Sequence, residues 1–309
     1  MSLDPADTAS VALAARAQLG ECPLWSPTEA RLYWEDIDGR AVHRFDPASG
    51  VDEVREAPGR PGSLALTSTA GRLLVAIEGR LSFLDWATGT WQDWIELESE
   101  DRGNRMNDGR CDPTGRFWVG TMHDPSADRA AAGSLYRIEG DGRSTVTRTE
   151  IGVPNGLAFS PDGGTMYWAD THRDTVWAYD YDIDTGEATN ERVFLDFDKL
   201  PGRPDGACID EDGCYWIACV YGSAVLRVTP AGVVDRHYTV PTLKPTMPAF
   251  GGPALSTLFV TSIGGGGSHA VDPAQPAAGD LFAIETGYRG IPEPVFTGGP
   301  GPTSGAVTR

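Results

Sequence analysis

Apolar and polar residues alternate in short runs along most of the chain, and no stretch of useful length carries a helical period. The pattern is clearest around residue 155. Val153-Pro154-Asn155-Gly156-Leu157-Ala158-Phe159 reads as a strand, Ser160-Pro161-Asp162-Gly163-Gly164 as a turn, and Thr165-Met166-Tyr167-Trp168-Ala169-Asp170 as a second strand. The unit recurs. Glu21, Pro27 and Tyr33-Trp34 hold the same places in a first unit, as do Asn107, Pro113 and Phe117-Trp118 in a third. A fifth carries Asp205, Glu211-Asp212-Gly213 and Tyr215-Trp216. Units two (Ser63, Thr69-Ala70-Gly71, Leu74-Val75) and six (Met247, Pro253, Leu258-Phe259-Val260) keep the spacing with looser chemistry. Successive unit heads lie 42 to 50 residues apart, a period that points to a propeller or solenoid.

The second half of each unit supplies two more strand signals, such as residues 41–45 before Asp46-Pro47-Ala48-Ser49-Gly50 and residues 176–180 before Asp184-Thr185-Gly186. Four strands in each of six units predict an all-β fold, a six-bladed β-propeller. Residues 11–17 are expected to pair with the last blade and close the ring, leaving no open edge. Residues 1–10 read as a flexible N-terminal tail and 11–309 as a single propeller domain. The aromatic pairs recur by register and are assigned to packing between blades.

This register makes the chemistry legible. The first strand of a propeller blade lines the central channel, so the six heads, Glu21, Ser63, Asn107, Asn155, Asp205 and Met247, should ring one mouth. Two carboxylates and two amides converge there without histidine or cysteine. Such a set suits a hard divalent cation (Ca²⁺, Mg²⁺ or Mn²⁺), while zinc usually takes nitrogen or sulfur but tolerates carboxylates. Glu21 and Asn155 belong to opposite blades and would clamp the ion from two sides, with Asp205 as a third contact and positions left for water and substrate. Arg105, two residues before Asn107, would meet hydroxyl or carboxyl oxygens at the mouth, or pair with neighbouring acids. Asp108 and Gly109 read as structural. Excursions at 122–133, with His123 and Asp124, and at 263–279 should overhang the same mouth, with His172 nearby. No Gly-x-Ser-x-Gly elbow supports a serine nucleophile.

Composition narrows the partners. Gly 38 and Pro 23 are spread evenly, as many tight turns require. A formal charge of −19 sets the surface against phosphate backbones and anionic membranes, so neither nucleic acid nor a membrane is expected as a partner. The five cysteines lack zinc-type spacing and read as reduced core thiols of a cytoplasmic protein. A monomer or weak oligomer is expected.

Four motifs in order, Gly20-Glu21-Cys22-Pro23-Leu24-Trp25, Arg105-Met106-Asn107-Asp108-Gly109, Pro154-Asn155-Gly156-Leu157-Ala158-Phe159-Ser160 and Pro204-Asp205-Gly206, resemble the SMP-30/gluconolactonase/luciferin-regenerating family, which includes regucalcin. The resemblance spans about residues 18–290. It implies a six-bladed propeller with one divalent metal at the channel mouth, Ca²⁺ first and Zn²⁺, Mn²⁺, Mg²⁺ or Fe²⁺ as alternatives, and hydrolysis of a sugar lactone. Position by position it implies Glu21, Asn155 and Asp205 as metal ligands, Asp205 also as base, and Arg105 and Asn107 as substrate contacts. Gly120-Thr121-Met122-His123-Asp124 is more similar to bacterial aldonolactonases than to animal regucalcins. The acidic substrate contact of some members is shifted here to Asp124, with His123 beside it. A non-catalytic calcium-binding propeller and a metal-dependent esterase or phosphotriesterase are the competing readings.

Overall fold

The computed structural model describes residues 7–99, 103–124 and 131–300. Among these, 24 strands form six four-stranded antiparallel sheets, a six-bladed β-propeller. Strand β1 is Ser10–Leu13. Blade one comprises β2–β5 (Gly20–Ser26, Arg31–Asp36, Ala41–Asp46, Val51–Glu56) and blade two β6–β9 (Pro61–Leu66, Arg72–Ile77, Arg80–Asp85, Thr90–Glu96). Blade three comprises β10–β13 (Asn104–Cys111, Phe117–His123, Gly133–Ile138, Ser144–Ile151) and blade four β14–β17 (Pro154–Phe159, Thr165–Asp170, Thr175–Asp182, Glu187–Asp196). Blade five is β18–β21 (Arg203–Ile209, Tyr215–Val220, Ala224–Val228, Val234–Thr239); β22–β24 (Pro245–Gly251, Thr257–Ser262, Leu281–Glu285) with β1 make blade six.

The ring closes by pairing the start of the chain with its last strand: β1 runs antiparallel to β24. This strand is shorter than the sequence suggests, because the Ala15 N–H turns back to Leu13 O at 2.8 Å and Arg16 sits at φ 56°. The turn sends Ala17 inward, where its N–H donates to Gly279 O. Residues 1–6 of the expected tail lie outside the described residues. Residues 7–10 are not loose: Thr8 bridges Thr239, and the buried Ala9 donates its N–H to Thr239 O.

Alternation along the second strands builds the core. Tyr33 packs toward blade two with Trp86, Leu64 and Val75, whereas Trp34 packs toward blade six with Trp25 and Phe259. Tyr215 and Trp216 divide in the same way between blades four and six. All eight aromatic-pair residues, from Tyr33 to Trp216, are at most 3% exposed, and each fully buried ring contributes roughly 2–3 kcal/mol of transfer free energy. They are packing residues, as expected. All five cysteines are buried and free of disulfides.

Residues 290–299 cross the rear of the propeller as a strap. Gly290 N–H donates to Leu255 O in blade six, and Phe296 N–H to Leu66 O in blade two. Between them Glu293 enters the channel and pairs with the buried Arg110, whose other terminal nitrogen donates to Ala207 O at 2.7 Å. Beside the strap lies a cavity of about 510 Å³ lined by Arg110, Phe159, Ile209, Ile291 and Glu293. A void of about 10 Å³ lies among Cys22, Leu64, Gly109, Met247 and Pro294.

Candidate functional site

Every blade is broken at the same place. The pairing of first and second strands shifts between Glu21 and Leu24, Pro61 and Ser63, Met106 and Gly109, Asn155 and Ala158, Pro204 and Ala207, and Pro245 and Pro248. An extra residue in one strand of an antiparallel pair re-aims the neighbouring side chain, and here six such bulges coincide with the six unit heads. Cys22, just after Glu21, takes φ 46°, a costly conformation for a non-glycine residue. Gly156, just after Asn155, takes φ 64°; a Cβ there would lie 2.4 Å from the Tyr215 hydroxyl, which donates to Gly156 O at 2.6 Å.

Four of the six heads, Glu21, Asn107, Asn155 and Asp205, line one cavity of about 710 Å³ at the mouth. Ser63 is fully buried outside the cavity lining, and Met247 is buried among apolar side chains against Gly206. The ring at the mouth is therefore two carboxylates and two amides. Among the described residues no three His, Cys, Asp or Glu side chains converge. A cation here would rest on Glu21, Asp205 and an amide oxygen.

That amide oxygen has a fixed direction. The Thr171 hydroxyl donates to Pro204 O at 2.7 Å, so it accepts from Asn155 Nδ2 at 2.8 Å, which leaves Asn155 Oδ1 on the other side. Asn155 Oδ1 accepts from Asn107 Nδ2 at 3.0 Å, and Asn107 Oδ1 accepts from the Arg105 guanidinium at 2.8 Å. Arg105 is buried and donates also to Met106 O, and among the described residues no acid pairs with it, so it is not a surface arginine paired with acids. A buried, hydrogen-bonded set of oxygens directed by a second layer of donors fits a hard divalent cation.

Electrostatics at the floor point the same way. Burial, then the nearby Asp108 carboxylate, raises the Glu21 pKa to about 8. Asp205 is raised well above its ordinary value by burial, then by Glu21 and Asp108. Two carboxyl groups held against their charged form need compensating positive charge to ionise together. Glu35, the cross-strand neighbour of Glu21, is fully buried, and among the described residues no group hydrogen-bonds its carboxyl oxygens.

The remaining expected residues divide. Asp124 lines the cavity and is ion-paired with Arg60. His123 ends β11 off the cavity, its ring 3.2 Å from where a Cβ would stand on Gly103. The excursion at 122–133 is described only to 124 and from 131. His172 lies in a short 3₁₀ turn after β15 and lines the cavity with Arg203, Tyr221 and His269, which the sequence reading passed over. The signal for Arg203 was present. It stands two residues before Asp205, as Arg105 stands two before Asn107, and Leu19 and Val153, at the same offset from Glu21 and Asn155, also line the cavity.

Residues 19–264 match the model of the SMP-30/Gluconolactonase/LRE-like region. The chain is similar to 6-deoxy-6-sulfogluconolactonase of Pseudomonas putida, with 38% identity over 91% of this chain and 95% of that protein. It is similar to pentonolactonase XacC of Haloferax volcanii, with 35% identity over 89% of this chain and 94% of that one. A crystal structure of a calcium-binding protein, regucalcin, from Agrobacterium tumefaciens superposes with a TM-score of 0.87 at 34% identity, covering 94% of this chain and 97% of that chain.

Proposed function

The chain belongs to the SMP-30/gluconolactonase/LRE-like family, and from that premise we propose that it hydrolyses a sugar lactone to the open aldonic acid at the cavity mouth. One observation carries this reading: Glu21, Asp205 and the oriented Asn155 amide line one pocket together with the buried Arg105. Two lactonases among the relatives support the substrate class.

Glu21, Asn155 and Asp205 would hold one divalent cation, Ca²⁺ before Zn²⁺, Mn²⁺, Mg²⁺ or Fe²⁺. Its charge would polarise the lactone carbonyl, an effect worth several kcal/mol. Asp205 takes the proton from the attacking water as the water oxygen bonds to the carbonyl carbon. It returns that proton to the ring oxygen as the C–O bond of the lactone breaks. Arg105 donates to the sugar oxygens, and its hydrogen bond to Asn107 Oδ1 holds the guanidinium in place before substrate arrives. Asn107, expected as a substrate contact, acts instead by positioning, since its amide nitrogen is spent on Pro154 O and Asn155 Oδ1. Asp124, anchored by Arg60, accepts from a hydroxyl at the rim. His123 has no part in this reading because its ring lies off the cavity.

The calcium-binding description of the Agrobacterium structure favours a second reading, in which the same site binds Ca²⁺ without turnover. Mutation separates the two. Asp205→Ala and Asn155→Ala should each lower the rate of acid release from aldonolactones at least 100-fold while circular dichroism and Tm stay near those of the parent. Full hydrolysis by either folded variant would falsify the assignment.

A further inference from the structure

The cavity mouth has two unlike halves. On the side of blades one to three, carboxylates are committed: Asp38 accepts from Ser268 N and Oγ at 2.7 and 2.6 Å, and Asp124 is paired with Arg60. On the side of blades four to six, His172, Arg203, Tyr221 and His269 line the wall. Lys244 stands with them, its ammonium 5.5 Å from the Tyr221 ring centroid. It is one of only two lysines in a chain of formal charge −19.

Lys244 is half-buried, and among the described residues no carboxylate pairs with it. Arg203 is half engaged. Asp174 takes its Nε and Nη2 edge at 3.2 Å each, leaving Nη1 without a protein partner among the described residues. The backbone holds these groups in place. Lys244 O accepts from Ile263 N at 3.0 Å, Ser268 ties the excursion to Asp38, and His269 O accepts from Gly266 N at 2.9 Å. Tyr221 keeps φ 66° while half exposed, a strained conformation of the kind that persists at ligand clamps. Burial, then the Lys244 charge, depresses the His269 pKa.

We propose that Lys244, Arg203 and His269, arranged around Tyr221, form an anion subsite, and that the preferred substrate is a sugar lactone bearing a sulfonate, carboxylate or phosphate at the end remote from its carbonyl. This rests on the lactonase reading above. The acidic floor takes the reacting end of the substrate, and the cationic wall takes its tail. On this wall the free edge of Arg203 offers charge-assisted hydrogen bonds to such a tail, apart from Arg105 across the mouth.

The test compares glucono-1,5-lactone with its 6-carboxylate, 6-phosphate and 6-sulfonate counterparts, in the parent enzyme, Lys244→Met and Lys244→Met/Arg203→Met. The parent should favour an anionic lactone about tenfold or more in kcat/KM, mainly through KM. Lys244→Met should cut the anionic-to-neutral ratio about tenfold, the double variant should cut it further, and 1 M salt should shrink it. The ranking of the three anions identifies the tail. A parent ratio at or below one, or a ratio untouched by Lys244→Met, overturns the subsite while leaving lactone hydrolysis in place. If no lactone is turned over, hydrolysis falls and calorimetry with the open acids decides. Tighter binding of the 6-substituted dianions than of gluconate, lost in Lys244→Met, supports the subsite, and equal binding overturns it.

Discussion

Asn155 offers a cation an oxygen and not a nitrogen because of one hydroxyl. Thr171 spends its proton on Pro204 O and so can only accept from the Asn155 amide. Thr171→Val keeps the shape and removes that instruction, leaving Asn155 held only from the Asn107 side. We expect Ca²⁺ affinity, measured by calorimetry, to fall about tenfold or more with little change in fold; unchanged affinity would mean that the amide is oriented by Asn107 alone. The sequence displayed Asn155 and its ring partners through register, but not Thr171, which lies in a short turn beyond the strand with no place in the repeat. Glu35 was equally hidden. It stands next to the Tyr33-Trp34 pair and reads as one more strand residue until its burial beside Glu21 is known. Arg203 is legible from its offset to Asp205, the same offset that Arg105 has from Asn107.

At the scale of the strand, function depends on irregularity. A regular first strand would point alternate residues into the blade interfaces, and the bulges interrupt that alternation where the chemistry lies. Motif spacing gave the blades and their order, because period-two burial leaves a strong trace. The bulges leave almost none beyond the glycine at 156. Outer strands show the opposite regime, in which solvent-facing pairs add modest stability. In blades three and four, Arg148 pairs with Glu191, donates to the Tyr179 hydroxyl at 2.7 Å and stacks over Trp168 at 5.0 Å. The Arg148 hydrogen bond, foremost, lowers the Glu191 pKa. A carboxyl depressed in the folded state stabilises above its unfolded pKa and loses that contribution as pH falls through its folded value. Arg148→Met should therefore lower Tm at pH 7 and narrow its gap to the parent near pH 3. The pH-dependent part should be only about 0.5 kcal/mol, since Glu191 is well exposed. A gap that stays constant with pH would assign the whole effect to stacking on the tryptophans.

As a whole, the molecule is a ring closed twice. β1 completes blade six, and the strap from Gly290 to Gly299 spans the rear, joining blade six to blades two and three. The first closure was readable from an apolar run with no local partner. The second was not, since residues 290–299 carry no strand alternation and their role depends on Glu293 meeting Arg110 inside the channel. Glu21, Asn155 and Asp205 line the cavity at the mouth, and Arg110 and Glu293 line a separate one beside the strap. Among the described residues no helix is long and apolar enough to cross a membrane.

The central claim is that the cavity at the mouth is a metal-dependent lactone-hydrolysing site. Its most direct test is acid release from glucono-, xylono-, galactono- and arabinonolactones by chelator-treated protein, before and after add-back of Ca²⁺, Zn²⁺, Mn²⁺ or Mg²⁺. The account predicts that chelation lowers the enzymatic rate at least 100-fold and that at least one cation restores it in the parent but not in Asp205→Ala. Hydrolysis that persists undiminished in the chelated protein, or its absence for every lactone with every cation, would contradict it.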